Sequence, residues 1–219
     1  MTATGGWLTP RQAFAEALGI VELVKSEAAK APIAVHRLRG NVVVLEGSGG
    51  KVAVLAGRDG KVPVDAGIAV SRPQLAAALS GLGPEPVTHL INTHWHFDHA
   101  NGDEWLHELG PEILAHENTR QHLSTMQRVD DWDFDFSTGG SNDGSIRAAD
   151  ANLAATTDTT IIIPGHGPPV SNRSELQDFR DMLVGIREDV AALKRQGRSL
   201  EDTVKAKPTA AYDTKWAPS

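Results

Sequence analysis

Apolar residues recur at helical spacing near both ends of this chain and at strand spacing through much of its first half. From about Thr9 to Lys30, the residues Phe14, Leu18, Val21 and Val24 fall three or four apart and share one face of a predicted helix. Short β-rich runs follow at Ile33–Leu38, Asn41–Glu46, Lys51–Ala56 and Lys61–Asp65, broken by Arg39-Gly40, Gly47-Ser48-Gly49-Gly50 and Asp59-Gly60. Glycine-marked breaks between such runs predict tight reversals, and so consecutive antiparallel strands. Beyond Pro73 the pattern alternates: helix Gln74–Leu82, strand Val87–Asn92, helix Asn101–Leu109, strand Glu112–Ala115 and helix Glu117–Met126. Apolar Ile161–Ile163 is predicted as a buried strand ending at Pro164-Gly165-His166-Gly167. Between them, Arg128–Ser145 is poor in aliphatic residues and rich in Asp, Gly and Ser, which predicts a long loop.

The last quarter is helical. Ser174 and Gln177 have the spacing of a capping box, and Leu176, Phe179, Leu183, Ile186, Val190 and Leu193 continue as one apolar stripe. At under about three heptads, the stripe is expected to cover a sheet rather than to form a dimerising seam. Gly197 is the expected stop, and Ser199 with Asp202 the start of a short final helix.

Composition narrows the function classes. The 219 residues suffice for one sizeable core, and a formal charge of -7 argues against a nucleic-acid partner, which would need clustered Lys and Arg. No apolar run approaches the roughly 20 residues of a membrane helix. Met1–Pro10 lacks a basic-then-apolar leader pattern, so a cytoplasmic location without membrane association is the expectation. With no cysteine in the chain, a metal has to be held by His, Asp or Glu.

The chemistry concentrates in His94-Trp95-His96-Phe97-Asp98-His99, four candidate ligands in six positions at the end of an apolar run. Imidazole and carboxylate suit zinc and similar divalent ions. A satisfied core histidine would explain one imidazole, not three with an aspartate. His94 and His96, two apart, can face the same side. This stretch resembles the His-x-His-x-Asp-His signature of the metallo-β-lactamase superfamily of hydrolases, which includes glyoxalase II-like thioesterases. Val64-Asp65-Ala66-Gly67 resembles that family's first motif, a strand-end Asp that braces the metal loops, and Pro164-Gly165-His166-Gly167 its last, which provides a metal-binding His. The order and approximate spacing of the three fit.

The resemblance implies an αββα four-layer sandwich over 33–219, with 1–32 as a helical segment packed on the core. It also implies that His94 and His96 belong to a first metal site, and Asp98, His99 and His166 to a second. Asp98 would hold the metal and orient a hydroxide nucleophile, since zinc lowers the pKa of bound water from 15.7 to about 7. His116 resembles a structural histidine of the family, and Trp95 and Phe97 are expected to pack behind the metal loop. The chain departs from the family between His122 and His166, where no histidine and no bridging Asp in a strand setting occur. It is several dozen residues short there, so the second sheet is expected to be incomplete, the first site under-coordinated and the second better formed. Asp131, Asp133 or Asp135 is a candidate substitute ligand.

The leading expectation is a hydrolase binding one or two zinc ions and acting on an ester, thioester or amide-like bond of a small molecule. A shortened relative that keeps fold and metal but turns nothing over is the alternative, and a mononuclear iron enzyme resembling sulfur dioxygenases is a third. Unpaired edges of a shortened sheet suggest self-association into a homo-oligomer. The glycines at 47, 49 and 50, lacking a following Lys-Ser/Thr and helix, read as a hairpin turn rather than a phosphate loop.

Overall fold

Glycine-punctuated apolar runs in the first half of the chain become one sheet. The computed structural model describes residues 19–47, 49–124, 127–129, 134–136 and 142–216. Strands β1 (Ala34–Arg37), β2 (Val42–Glu46), β3 (Val52–Gly57) and β4 (Gly60–Val64) are joined as successive antiparallel hairpins. Then β5 (His89–Asn92) and β6 (Glu112–Ala115) add in parallel, so the six strands lie in sequence order. Parallel neighbours need a crossover, and helices provide it: α2 (Arg72–Ser80) joins β4 to β5, and the single turn α3 (Phe97–Ala100) with α4 (Asp103–His107) joins β5 to β6.

One face of the sheet carries the core. Val43 and Leu45 of β2, Val52 and Val54 of β3 and Leu90 of β5 pack with Leu75 and Leu79 of α2 and with Trp105 and Leu106 of α4. Burying side chains of this size is worth about 1.5–3 kcal/mol each, which makes this cluster the main source of cohesion. The opposite face is also apolar. Register places Val44, Ala53, Val64, Ile91 and Leu114 in one row across five strands. Val44 is fully buried, whereas Ile91 and Leu114 are 38% and 43% exposed, so cover thins toward β6.

Helix α1 (Ile20–Ala28) is the described part of the predicted N-terminal helix; residues 1–18 lie outside the described ones. It buries Val21 and Ala28, and Ser71 Oγ donates to the Ala28 carbonyl at 2.9 Å. Helix α5 (Glu117–Leu123) follows β6.

Described parts of the segment expected to be a long loop form regular elements. The segment carries an antiparallel ribbon, β7 (Gln127–Val129) with β8 (Phe134–Phe136), and helix α6 (Asn142–Ala155) begins within it. The ribbon is the second sheet among the described residues, so the sandwich is incomplete, as expected from the missing stretch. Helix α6 was not predicted; its apolar residues are sparse, yet Ile146, Ala149 and Leu153 are buried at helical spacing.

The chain divides into two compact units, Met1–Gly139 with Ile163–Pro169, and Gly140–Ile162 with Val170–Ser219. In the second, α6 packs on α7 (Arg173–Arg195), tied by a 2.8 Å bond from Arg180 Nε to Asp150. The predicted buried strand at Ile161–Ile163 is not one. Ile162 makes a single antiparallel bridge with Ser171, and Ile161 is 39% exposed; among the described residues no neighbouring strand extends the pairing.

The start of α7 also differs from the capping-box expectation. Asn172 is the N-cap, its side chain accepting from the Glu175 amide at 3.1 Å, which puts Ser174 inside the first turn. None of the residues of α7 is buried, and Phe179 and Val190 of its stripe are 36% and 37% exposed, so the stripe is only partly covered. The helix ends as expected: the Arg198 amide donates to the Leu193 carbonyl and the Gly197 amide to that of Lys194, with Gly197 at φ 72°. Ser199 then caps α8 (Leu200–Lys205) by accepting from the Asp202 amide, and α9 (Asp213–Trp216) follows. Among the described residues, no helix is long and apolar enough to cross a membrane.

Candidate metal centre

Parallel pairing sets the C-terminal ends of β4 and β5 side by side, with Val64 opposite Ile91. Asp65 and Thr93, each just past its strand, therefore meet. Asp65 Oδ1 accepts from the Thr93 amide at 2.8 Å and from Thr93 Oγ1 at 2.9 Å, while Oδ2 lies 2.8 Å from His99 Nδ1. The residue is buried and sits at φ 67°, a left-handed conformation costing about 1–2 kcal/mol. Its hydrogen bonds, at about 1 kcal/mol each and more where a charge takes part, outweigh that cost. Asp65 is thus the brace that the family resemblance implied.

Past the bend at Thr93, His94 and His96 come together, their rings 4.5 Å apart. His96 then caps the single turn α3, which swings Asp98 and His99 inward. The His99 ring lies 4.3 Å from that of His94 and is 3% exposed. From the other end of the chain, His166 Nε2 comes to 2.9 Å from Asp98 Oδ2 and 3.4 Å from His99 Nε2, and the third side, His99 Nε2 to Asp98 Oδ2, is 3.5 Å.

Among the described residues, Asp98, His99 and His166 form a group of three whose ligand atoms all lie within 4.8 Å of one another. Donors about 2.0–2.1 Å from a tetrahedral zinc stand about 3.4 Å apart, so this triangle has the dimensions of a zinc site. The chemistry of the donor set fits as well. Asp65 occupies His99 Nδ1 and leaves Nε2 facing the triangle, the carboxylate–histidine arrangement that fixes a ligand ring. His166, two-thirds exposed, opens one side to water.

Close packing of the triangle requires missing side chains. A Cβ on Gly50 would fall 2.4 Å from His99 Cε1, one on Gly49 2.8 Å from Ile68 Cδ1, and one on Gly165 2.9 Å from His99 Cε1. The turn between β2 and β3 is a hairpin turn, as its composition indicated, and also the wall against which His99 lies. Its Gly50 amide donates to the Asp98 carbonyl at 3.0 Å.

Electrostatics suit ligands. Burial, helped by the neighbouring His99 and His96, pushes His94 down to about 4, and burial likewise lowers His96, so both imidazoles are neutral at pH 7. Burial opposes ionisation of Asp98, but the hydrogen bond from His166 and the charges of His99 and His166 prevail and hold its carboxyl below the usual range. Burial would also depress His99; its bond to Asp65 and the charges of Asp65 and Asp98 reverse this and raise it.

Other predicted positions have structural places. His116 caps α5, its Nδ1 accepting from the Asn118 amide, and so has the structural role expected of it. Trp95 is buried, with its ring 4.5 Å from His96 and 5.0 Å from His122. Asp131 and Asp133 lie outside the described residues, as does the side chain of Asp135. Sequence reasoning passed over Thr93, the glycine wall and Asp103. The last is pushed up to about 6 by burial, although Asn92 donates to it at 2.5 Å. A hydroxyl directly before the histidine cluster and glycines directly before a strand were the available signals.

A family model described as the metallo-beta-lactamase superfamily matches residues 40–190. Among solved structures, DIM-1 metallo-beta-lactamase superposes with a TM-score of 0.55 at 16% identity, over 70% of this chain and 98% of that one. A metallo-beta-lactamase from Pontibacter korlensis gives 0.55 at 14%, over 69% and 99%. MEM-A1, a subclass B3 metallo-beta-lactamase isolated from a soil metagenome library, is 27% identical at a TM-score of 0.41; 47% of this chain is covered, but the match spans only 40% of that enzyme. No curated protein matches. With the fold shared and the family model covering more than half of its residues, the chain belongs to the metallo-beta-lactamase superfamily.

Proposed function

We propose that this chain is a zinc-dependent hydrolase working from a single ion held by Asp98, His99 and His166, and acting on an ester, thioester or amide-like carbonyl of a small molecule. The observation that carries this reading is the convergence of three ligand atoms, from segments 67 residues apart in sequence, within one coordination sphere. Zinc, when bound, supplies Lewis acidity at the carbonyl and makes hydroxide available near neutral pH. The protein's own part is positional. Asp65 fixes the His99 ring, the Gly50 amide steadies Asp98, and neutral His94 and His96 line the adjoining surface without repelling a cation.

A second reading, a relative that binds metal but turns over little, is favoured by one observation. His94 and His96 are joined by no third donor in a group of their own among the described residues. Metal analysis of protein purified without chelator, paired with hydrolysis of a generic ester or lactam reporter, separates the two. About one zinc per chain, with turnover lost together with metal in His166→Ala, supports the hydrolase. Zinc without turnover supports the second reading, and turnover unchanged in His166→Ala would dismiss the mechanism. Iron in place of zinc, with thiol-dependent oxygen uptake, would point to an oxygenase instead.

A further inference from the structure

Lys51, directly after the glycine wall, is a buried cation, 5% exposed. Burying an ammonium and freezing its long stem is unfavourable unless strong partners compensate. Among the described residues its partners are few. The Nζ atom donates to the Gly167 carbonyl at 2.6 Å and lies 3.7 Å from Glu46 Oε1, whose other oxygen is 2.7 Å from His36 Nε2. The Lys51 backbone amide donates to the Gly165 carbonyl at 3.0 Å. One residue thus grips the turn carrying His166 on both sides of that histidine.

The turn needs such a grip. His166 stands between two glycines, Gly167 at φ 83°, so the backbone there has little conformational preference of its own. Its imidazole is two-thirds exposed and, among the described residues, is held within the site through Asp98 and His99. A charged donor on a carbonyl is among the stronger hydrogen bonds available, and here it acts in a buried setting.

We propose that Lys51 is a positioning residue, clamping the Gly165–Gly167 turn so that His166 is presented to Asp98 and His99 before any ligand arrives. The consequence for metal binding rests on the zinc reading above; the clamp itself does not. A second buried lysine provides the comparison. Lys61, also 5% exposed, donates to the carbonyls of Gly83 and Glu85 at 2.7 and 2.5 Å, neither of them part of the metal loops.

The experiment compares Lys51→Met and Lys61→Met in the full chain by two measurements. Zinc affinity is read by competition with a chromophoric chelator, and hydrogen exchange at the residue 51 amide is read in chelator-treated protein, because that amide is freed only when the turn leaves. Lys51→Met is expected to weaken zinc at least tenfold and to speed exchange at least tenfold. Lys61→Met should lower Tm while leaving both within twofold. Glu46→Gln, which spares the bond to Gly167, should also stay within threefold. Should Lys51→Met not fold, Lys51→Gln replaces it, with the same expected directions.

Unchanged exchange in the Lys51 variant overturns the clamp, as does an equal change in both measurements for Lys61→Met. If exchange speeds up but wild-type protein binds no zinc, the clamp stands and the zinc reading falls. Unchanged zinc affinity with faster exchange would overturn the claim that the clamp presents His166.

Discussion

His99 presents Nδ1 to Asp65 Oδ2 at 2.8 Å, so the orientation of a candidate ligand on α3 is set by a carboxylate at the end of β4. Asp65→Asn keeps an acceptor for Thr93 but replaces the second oxygen with an amide that cannot accept from the ring. Such outer partners are worth 10–100-fold in metal affinity. Zinc binding in Asp65→Asn is therefore expected to weaken by about that factor, measured by chelator competition. An affinity within twofold of wild type would sink the brace.

Gly50→Ala tests the wall behind the same ring. The added Cβ would lie 2.4–2.6 Å from three His99 ring atoms, so the imidazole has to leave its place. Overpacking of this kind costs about 1–3 kcal/mol. At roughly 2–4 °C per kcal/mol for a chain of this size, Tm is expected to drop by several degrees, and zinc binding to be lost. A variant with native Tm and native zinc content would show that the wall gives way freely.

Metal-free protein should show an unusual pH response at Asp103. Its folded pKa is raised to about 6, above the ordinary carboxylate value, so the unfolded chain gives up this proton first. Stability from this group is full at low pH and is lost as pH rises from about 4 through 6. The loss amounts to about 1–3 kcal/mol once partial exposure is allowed for. Asp103→Asn, which keeps an acceptor for Asn92, is expected to raise Tm at pH 8 and to change it little at pH 4. Equal shifts at both pH values would contradict the assignment.

His94 acts in the same window with the opposite sign. Because its folded pKa is lowered to about 4, the unfolded chain takes up a proton near 6.5 while the folded one stays neutral. Stability is lost as pH falls from about 6.5 through 4, by about 1–2 kcal/mol for a half-buried ring. In chelator-treated protein, His94→Gln should flatten the acid side of the Tm profile. An unchanged slope between pH 6.5 and 4 would rule this out.

Zinc binding itself should strengthen with pH. The proton that Asp65 and Asp98 help to retain on His99 has to be released before Nε2 can hold a cation. Isothermal titration in buffers of different ionisation enthalpy is expected to register proton release on binding near neutral pH. An affinity independent of pH between 6 and 8 would argue that His99 is not a ligand.

The sequence by itself determined the four consecutive antiparallel strands and the cap at Ser199, because strand alternation, glycine-marked turns and side-chain capping are local properties; the Asp65 brace was legible through the family resemblance of its motif. It did not reveal helix α6, whose three buried apolar residues are diluted by Ala, Asp and Asn, nor the start of α7, where Asn172 took the cap two residues before Ser174. Ile161–Ile163 misled because an apolar run becomes a strand only if neighbours pair with it, and among the described residues only Ser171 does. Tertiary structure alone decided that a hairpin turn of glycines would wall in His99, that Lys51 would grip the turn of His166, and that Asp98, His99 and His166 would come within one coordination sphere. Those outcomes depend on distances between segments far apart in the chain, which no local pattern encodes.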